Sequence, residues 1–242
     1  MKKIDAHCHV GEFGGWADVR IDIQQLIKYM DEYETEKTVL CSSDDTTNEQ
    51  VLDAYEKYPK RIIPVVFANP NKGEASLAMA EDYIKNKGFR GIKLHPLQHA
   101  YVADEETVDP FMELAEKYNV PVFIHSGHPP FSLPWSIALL AERHPDVKTV
   151  MIHMGHGHGV YIDAALKMAK RYPNIYLEMS GMPMGSKIKE AYEKVGNDRI
   201  MFGTDMPFHH PSVEIQKVIT CGIDEKAQQD VFYNNAAKLL KL

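Results

Sequence analysis

The chain has 242 residues, 44% of them apolar and 25% charged, the length and balance of one α/β domain with a sizeable core. A formal charge of −7 argues against a nucleic-acid partner, which would need a basic face, and no apolar run reaches the ~20 residues that span a bilayer. Cys8, Cys41 and Cys221 are odd in number and unrelated in spacing, so no disulfide framework is expected. Met1-Lys2-Lys3 leads straight into an apolar run with no secretory leader pattern. The expectation is a cytoplasmic protein that handles a small molecule. An anionic substrate stays compatible with the negative charge, because a metal and a few local cations can dominate a small pocket.

Short apolar runs alternate with amphipathic stretches along the chain. The run Lys3–Cys8 precedes a helical stripe at Ile23, Leu26, Ile27 and Met30. Lys37–Cys41 precedes Val51, Ala54, Tyr55 and Tyr58; Arg61–Phe67 precedes a weaker pattern in Leu77–Ile84. Phe89–Leu94 is followed by Phe111, Leu114, Ala115 and Tyr118, and Val120–Ile124 by a weaker Ile137–Ala141. Lys148–Ile152 leads to Ile162, Ala165, Leu166 and Ala169; Asn174–Met179 leads to Ile188, Ala191, Tyr192 and Val195. The eighth run, Arg199–Phe202, precedes Ile215–Ile219 and a last stripe at Phe232, Asn235, Ala236 and Leu239. Spacings of i, i+3, i+4, i+7 put one apolar face on each helix, and short runs rich in Val, Ile and Phe read as buried parallel strands. Tyr58-Pro59, His144-Pro145 and Tyr172-Pro173 close helices just before the next strand. Eight β-then-α units without a linker predict a single domain over residues 1–242, an eight-stranded, parallel, distorted (β/α)8 TIM barrel.

The chemistry of such a barrel stands at the C-terminal ends of its strands, where most of the twelve histidines fall. His7 and His9 close the first run; as i and i+2 of a strand they share a face and can hold one metal. His125 ends the fifth run, and Asp205 follows the eighth, just before Met206-Pro207. Three neutral imidazoles and one carboxylate suit one divalent ion, zinc by donor type, with manganese or another first-row metal as alternatives. His153 ends the sixth run as a further ligand or, as preferred here, a group that hydrogen-bonds a polarised substrate oxygen. Lys93 ends the fourth run, either as an ammonium facing a substrate carboxylate or as a carbamate bridging two metals. Lys93, His95, Arg20 and Trp135 are the expected substrate contacts; Trp135 and Phe131 could equally pack beneath a proline-rich loop. His99, His128, His144, His156 and His158 read as ordinary loop or surface residues. His209 and His210 lie near Asp205, at the substrate or in solvent.

Five motifs in chain order resemble the amidohydrolase superfamily: Asp5-Ala6-His7-Cys8-His9, Gly91-Ile92-Lys93-Leu94-His95-Pro96, Ile124-His125-Ser126-Gly127, Ile152-His153-Met154-Gly155 and Gly203-Thr204-Asp205-Met206-Pro207. They are most similar to its branch containing aminocarboxymuconate-semialdehyde decarboxylase and small metal-dependent hydrolases. The resemblance implies His7, His9, His125 and Asp205 as metal ligands, Asp205 also as base, His153 as acid/base or oxyanion stabiliser, and a homodimer. Decarboxylating members tend to be longer than this chain, and the visible cations for a carboxylate are few. The primary expectation is therefore hydrolysis of an ester, lactone or amide by a metal-activated water. Decarboxylation of an unsaturated or aromatic acid is the alternative, and a metal-binding protein without activity is a third reading.

Overall fold

A computed structural model describes residues 1–15, 17–43 and 46–242. Eight parallel strands stand side by side in the order β1 (Lys3–Cys8), β4 (Thr35–Cys41), β5 (Ile62–Ala68), β6 (Ile92–Leu94), β7 (Val122–His125), β8 (Thr149–Ile152), β9 (Ile175–Glu178) and β10 (Ile200–Met201). Each stands where an apolar run was expected. β10 is only two residues long, so the last seam closes mostly beyond it: the Ala6 amide donates to Phe202 at 2.9 Å, the Asp205 amide to His7 at 2.8 Å and the His9 amide to Met206 at 2.8 Å. The result is a nearly closed, distorted (β/α)8 barrel.

The expected helices surround the strands. Ile23–Glu32 (α1), Asn48–Lys57 (α2), Gly73–Asn86 (α3), Asp109–Tyr118 (α5), Pro134–Arg143 (α6), Gly159–Arg171 (α7), Gly185–Lys194 (α8) and Pro211–Thr220 (α9) bury their apolar stripes in one shell against the outside of the sheet. α1 and α2 begin with capping boxes, Asp22 with Gln25 and Thr47 with Gln50, which satisfy amides left open at a helix start. Pro96–His99 is a single short turn (α4), and Glu225–Gln229 (α10) and Asn235–Leu240 (α11) end the chain. Inside the barrel Ile4, Ala6, Val39, Ile63, Val65, Phe123, Val150, Ile152 and Met201 form a second cluster, plugged by Ala236, Leu239 and Leu240 of α11. The plug fills the end away from the strand C-termini and leaves that rim for polar side chains.

Two features were not expected from the sequence. A small antiparallel hairpin, β2 (Gly11–Phe13) with β3 (Val19–Ile21), occupies the first connection. In β1, three residue steps from Asp5 to Cys8 oppose two on β4, from Thr38 to Leu40. Such a bulge re-aims side chains. Ala6 stays in the inner cluster, Cys8 packs in the outer shell beside Leu40, and His7 and His9 both reach the cavity at the rim.

Candidate active site

The rim encloses a cavity of about 300 Å³ into which His7, His9, Lys93, His95, His125, His153 and Asp205 all project. His7 Nε2 lies 3.1 Å and His9 Nε2 3.4 Å from the same oxygen, Oδ1 of Asp205. His9 Nδ1 donates to the Cys41 carbonyl at 3.0 Å. A neutral His9 therefore presents its Nε2 lone pair to Asp205. A lone pair facing a carboxylate oxygen in a buried site needs a cation between them, and His7 Nε2 stands at hydrogen-bonding distance of the same oxygen. Protons can fill that role: burial works against a charged His9, but Cys41 and Asp205 beside it outweigh burial and push its pKa up to about 10. A divalent ion satisfies the same atoms without protonating the rings, and this donor set fits one. Burial would likewise raise the Asp205 carboxyl, yet His153, His7 and His9 around it hold it well below the usual carboxylate range.

His153 donates from Nδ1 to the Ser180 carbonyl at 2.8 Å, which turns Nε2 away from that contact. Burial keeps the ring well below the ordinary histidine range despite Asp205, so it rests neutral. Ligand atoms of His7, His153 and Asp205 lie within 4.8 Å of one another, as do those of His7, His9 and Cys41. His125 belongs to neither group. It stacks on His95 with ring centres 3.8 Å apart, meets His153 edge-on at 4.8 Å, and turns Nε2 to His128 Nδ1 at 2.9 Å. Lys93 is buried, its Nζ 3.5 Å from His7 Nε2; burial pushes its pKa down against the pull of Cys41, Asp205 and Glu178. His95 caps α4 by accepting the Gln98 amide at 3.2 Å.

Two expected substrate contacts lie elsewhere. Arg20 is exposed on β3, opposite Glu12, and lines a separate cleft with Gln25, Asp53 and Lys57. The hairpin that carries it turns its side chain away from the barrel mouth. Trp135 is 42% exposed in the first turn of α6, edge-on to Tyr161 at 6.2 Å, and is not among the cavity walls. Two histidines read as loop or surface residues, His128 and His156, do line the cavity, as does His209, for which substrate and solvent were both open. Phe13 and Phe208, in edge contact at 5.0 Å, form an apolar wall beside His9. His210, by contrast, caps α9 and packs against Tyr29 and Tyr33.

Sequence reasoning assigned no role to two buried carboxylates that build the rim. Glu178, at the end of β9, accepts from the Ser180 amide at 2.6 Å, the Ser180 hydroxyl at 2.8 Å and the His153 amide at 3.2 Å. Burial raises its pKa, against His7 and the Ser180 donors. Asp5 accepts from the Thr204 hydroxyl at 2.5 Å, the Thr204 amide at 2.9 Å and the His7 amide at 3.1 Å; burial still pushes it up to about 7. Gly203 is required beside them, since a Cβ there would overlap Glu178 Oε1. The available signal was a lone acid inside an apolar run, in Asn174–Met179 and in Lys3–Cys8.

Comparison with known proteins agrees with this architecture. The chain is 23% identical to a γ-resorcylate decarboxylase of Polaromonas sp., over 94% of this chain and 91% of the relative. An uncharacterised TIM-barrel protein of Bordetella bronchiseptica superposes with a TM-score of 0.83 at 19% identity, covering 100% of this chain and 99% of the other. A 5-carboxyvanillate decarboxylase of Novosphingobium aromaticivorans, solved with manganese and a nitrobenzoic acid, superposes at 0.78 with 16% identity, covering 100% and 96%. The sequence pattern of the amidohydrolase family matches residues 4–242, and the chain belongs to that family.

Proposed function

We propose that this protein is a metal-dependent, non-oxidative decarboxylase of a single-ring hydroxylated aromatic acid. The observation that carries decarboxylation over the hydrolysis first expected is the likeness to γ-resorcylate decarboxylase along 94% of the chain. The cavity supports it: about 300 Å³ walled by Phe13 and Phe208 suits one ring at the small end of ligand pockets. His7, His9, His125 and Asp205 are the residues that would hold the ion. Manganese accompanies the 5-carboxyvanillate decarboxylase, and zinc accepts the same donors. When bound, a divalent ion supplies Lewis-acid polarisation of the substrate oxygens.

The side chains supply the rest. Lys93, buried in the cavity lining, offers an ammonium to the substrate carboxylate. The phenylalanine wall keeps water from the ring. Decarboxylation breaks the bond between ring carbon and carboxylate, leaves the electron pair on the ring carbon and needs one proton there: ArCO2− + H+ gives ArH + CO2. In this reading Asp205 carries that proton, and neutral His153, whose Nδ1 donates to the Ser180 carbonyl, passes it on from the cavity.

The test is a panel of hydroxybenzoates in D2O with the manganese- or zinc-loaded protein, beside a matched panel of esters, lactones and amides. The expected result is CO2 release with one deuterium at the vacated ring carbon. Asp205→Asn should lower turnover by at least ~100-fold, the lower end of what a positioned acid or base contributes. Cleavage of an ester, lactone or amide without CO2 from any acid would overturn the proposal.

A further inference from the structure

Among the described residues, His125 is the one proposed ligand whose ring nitrogen lies at hydrogen-bonding distance from another histidine. The 2.9 Å contact joins His125 Nε2 to His128 Nδ1, and a hydrogen bond between two imidazole nitrogens needs the proton on one of them only. Were His128 the donor, a neutral His125 would carry its own proton on Nδ1 and have no lone pair left for an ion. With His125 as donor, Nδ1 becomes the lone-pair nitrogen. We infer that His128 is a positioning residue that accepts the Nε2 proton of His125 and so fixes His125 as an Nδ1 metal ligand. The inference rests on the reading of His125 as a ligand and concerns binding of the ion, independent of the reaction catalysed.

The surroundings are built to hold this pair. The Gly127 amide donates to the Ser132 carbonyl at 2.7 Å, and the Ser132 amide to the His128 carbonyl at 2.9 Å, closing a tight loop that carries His128 back over His125. The Ser132 hydroxyl also accepts the His128 amide at 3.2 Å. Gly127 has φ 93°, and a Cβ there would overlap the Gly155 carbonyl. The loop can therefore pack directly onto the backbone that follows β8. On its other side His125 is stacked by His95 at 3.8 Å. Metal-binding histidines ordinarily donate their second nitrogen to a carboxylate, carbonyl or water. Here an imidazole from the same loop takes that place.

The test uses the full chain. Long-range ¹H–¹⁵N spectra of the imidazoles, zinc-loaded and metal-free, report which nitrogen of His125 is protonated, and chelator competition gives the zinc dissociation constant of each variant. Nε2–H on His125 is expected in wild type. His128→Leu should raise the dissociation constant about 10–100-fold, the usual loss for such a partner. His128→Asn, which keeps an acceptor near the Nδ1 position, should stay within about threefold of wild type on the same scale. A proton on Nδ1 of His125, or wild-type affinity in a folded His128→Leu protein, would overturn the inference. Should His128→Leu fail to fold, the wild-type tautomer and the Asn variant decide it. A wild type that takes up no zinc would instead refute the metal reading, with the metal-free spectrum still deciding the tautomer.

Discussion

Replacing Glu178 by Gln changes one oxygen to an NH2 in a site where every neighbour is a donor. If the new amide nitrogen stands at Oε1 it faces the Ser180 amide, held at 2.6 Å from that oxygen in the native protein. If it stands at Oε2, the Ser180 hydroxyl can reverse and accept from it, but the His153 amide loses its acceptor. The second arrangement is the cheaper one. It leaves one buried N–H unsatisfied, about 1–3 kcal/mol, and weakens two hydrogen bonds that had an ionised partner. Relief of a buried negative charge offsets part of this, because burial already raises the Glu178 pKa. A net loss of about 2 kcal/mol follows, or about 4–8 °C in Tm for a chain of this size. The His153 main chain, at φ 66°, would lose its anchor, so turnover should fall at least tenfold, about 1.4 kcal/mol in the barrier, while bound metal stays at the wild-type level. Differential scanning calorimetry, metal analysis and turnover on one preparation check all three. A Tm and turnover equal to wild type would mean that Glu178 is already protonated, and the argument for an ionised brace would be wrong.

Two further expectations are independent of that brace. Asp109 accepts from Arg143 at 2.8 Å and His144 at 2.8 Å, tying α5 to the end of α6; Asp109→Asn should cost about 1–2 kcal/mol at pH 7, reduced by the exposure of Arg143. Burial opposes ionisation of Asp109, but His144 and Arg143 hold its pKa below the ordinary 3.8. The stabilisation is therefore complete above about 4 and lost as pH falls through the depressed value; urea melts that show an equal deficit at pH 7 and pH 2 would contradict it. Arg20→Ala and Trp135→Ala should each leave KM and kcat within about twofold, the scale of a surface change below ±0.5 kcal/mol; a tenfold rise in KM for either would return that residue to the substrate.

The barrel was readable because its signals are local. Eight apolar runs and their intervening stripes carry their own periods, and a histidine or aspartate closing a run inherits its position from the strand before it. That logic places His7, His9, Lys93, His125, His153 and Asp205 at one cavity. It fails where no period exists. Gly11–Phe13 and Val19–Ile21 are too short to show alternation, so the hairpin that carries Arg20 away was invisible. His128 and His156 reach the cavity because Gly127 lets its loop pack onto the Gly155 backbone, and Gly155 lets that turn pack onto the Tyr161 backbone, contacts that the sequence around the glycines does not show. Trp135 begins a helix, and its outward direction depends on how α6 lies against α7. Glu178 and Asp5 sat inside apolar runs and could have been flagged by a simple rule: an acid with no place to be solvated is held there by donors.

Those acids also explain how the rim tolerates its own backbone. Asp205, His153 and Met154 adopt φ values of 56°, 66° and 35°, left-handed conformations that cost side-chain-bearing residues about 1–3 kcal/mol each. At the rim this strain lies at the ends of β8 and β10, and so does the bracing. Asp5 of β1 holds the main chain of Thr204, the residue before Asp205. Glu178 of β9 holds the main chain of His153. Ser126, just past β7, donates its hydroxyl to the Ile152 carbonyl at 2.6 Å and accepts the Gly155 amide at 2.9 Å, bracketing Met154. In each case a buried polar side chain on or just past a neighbouring strand supports the strained turn, through hydrogen bonds worth about as much as the strain. Removing a brace should therefore release the turn without unfolding the barrel, so that turnover falls in a protein that still folds, with a lowered Tm. The apolar interior beneath, from Ile4 to Leu240, does not depend on these polar contacts. The division assigns most of the stability to the plugged barrel, and to the buried acids the geometry of its mouth with a smaller share of stability.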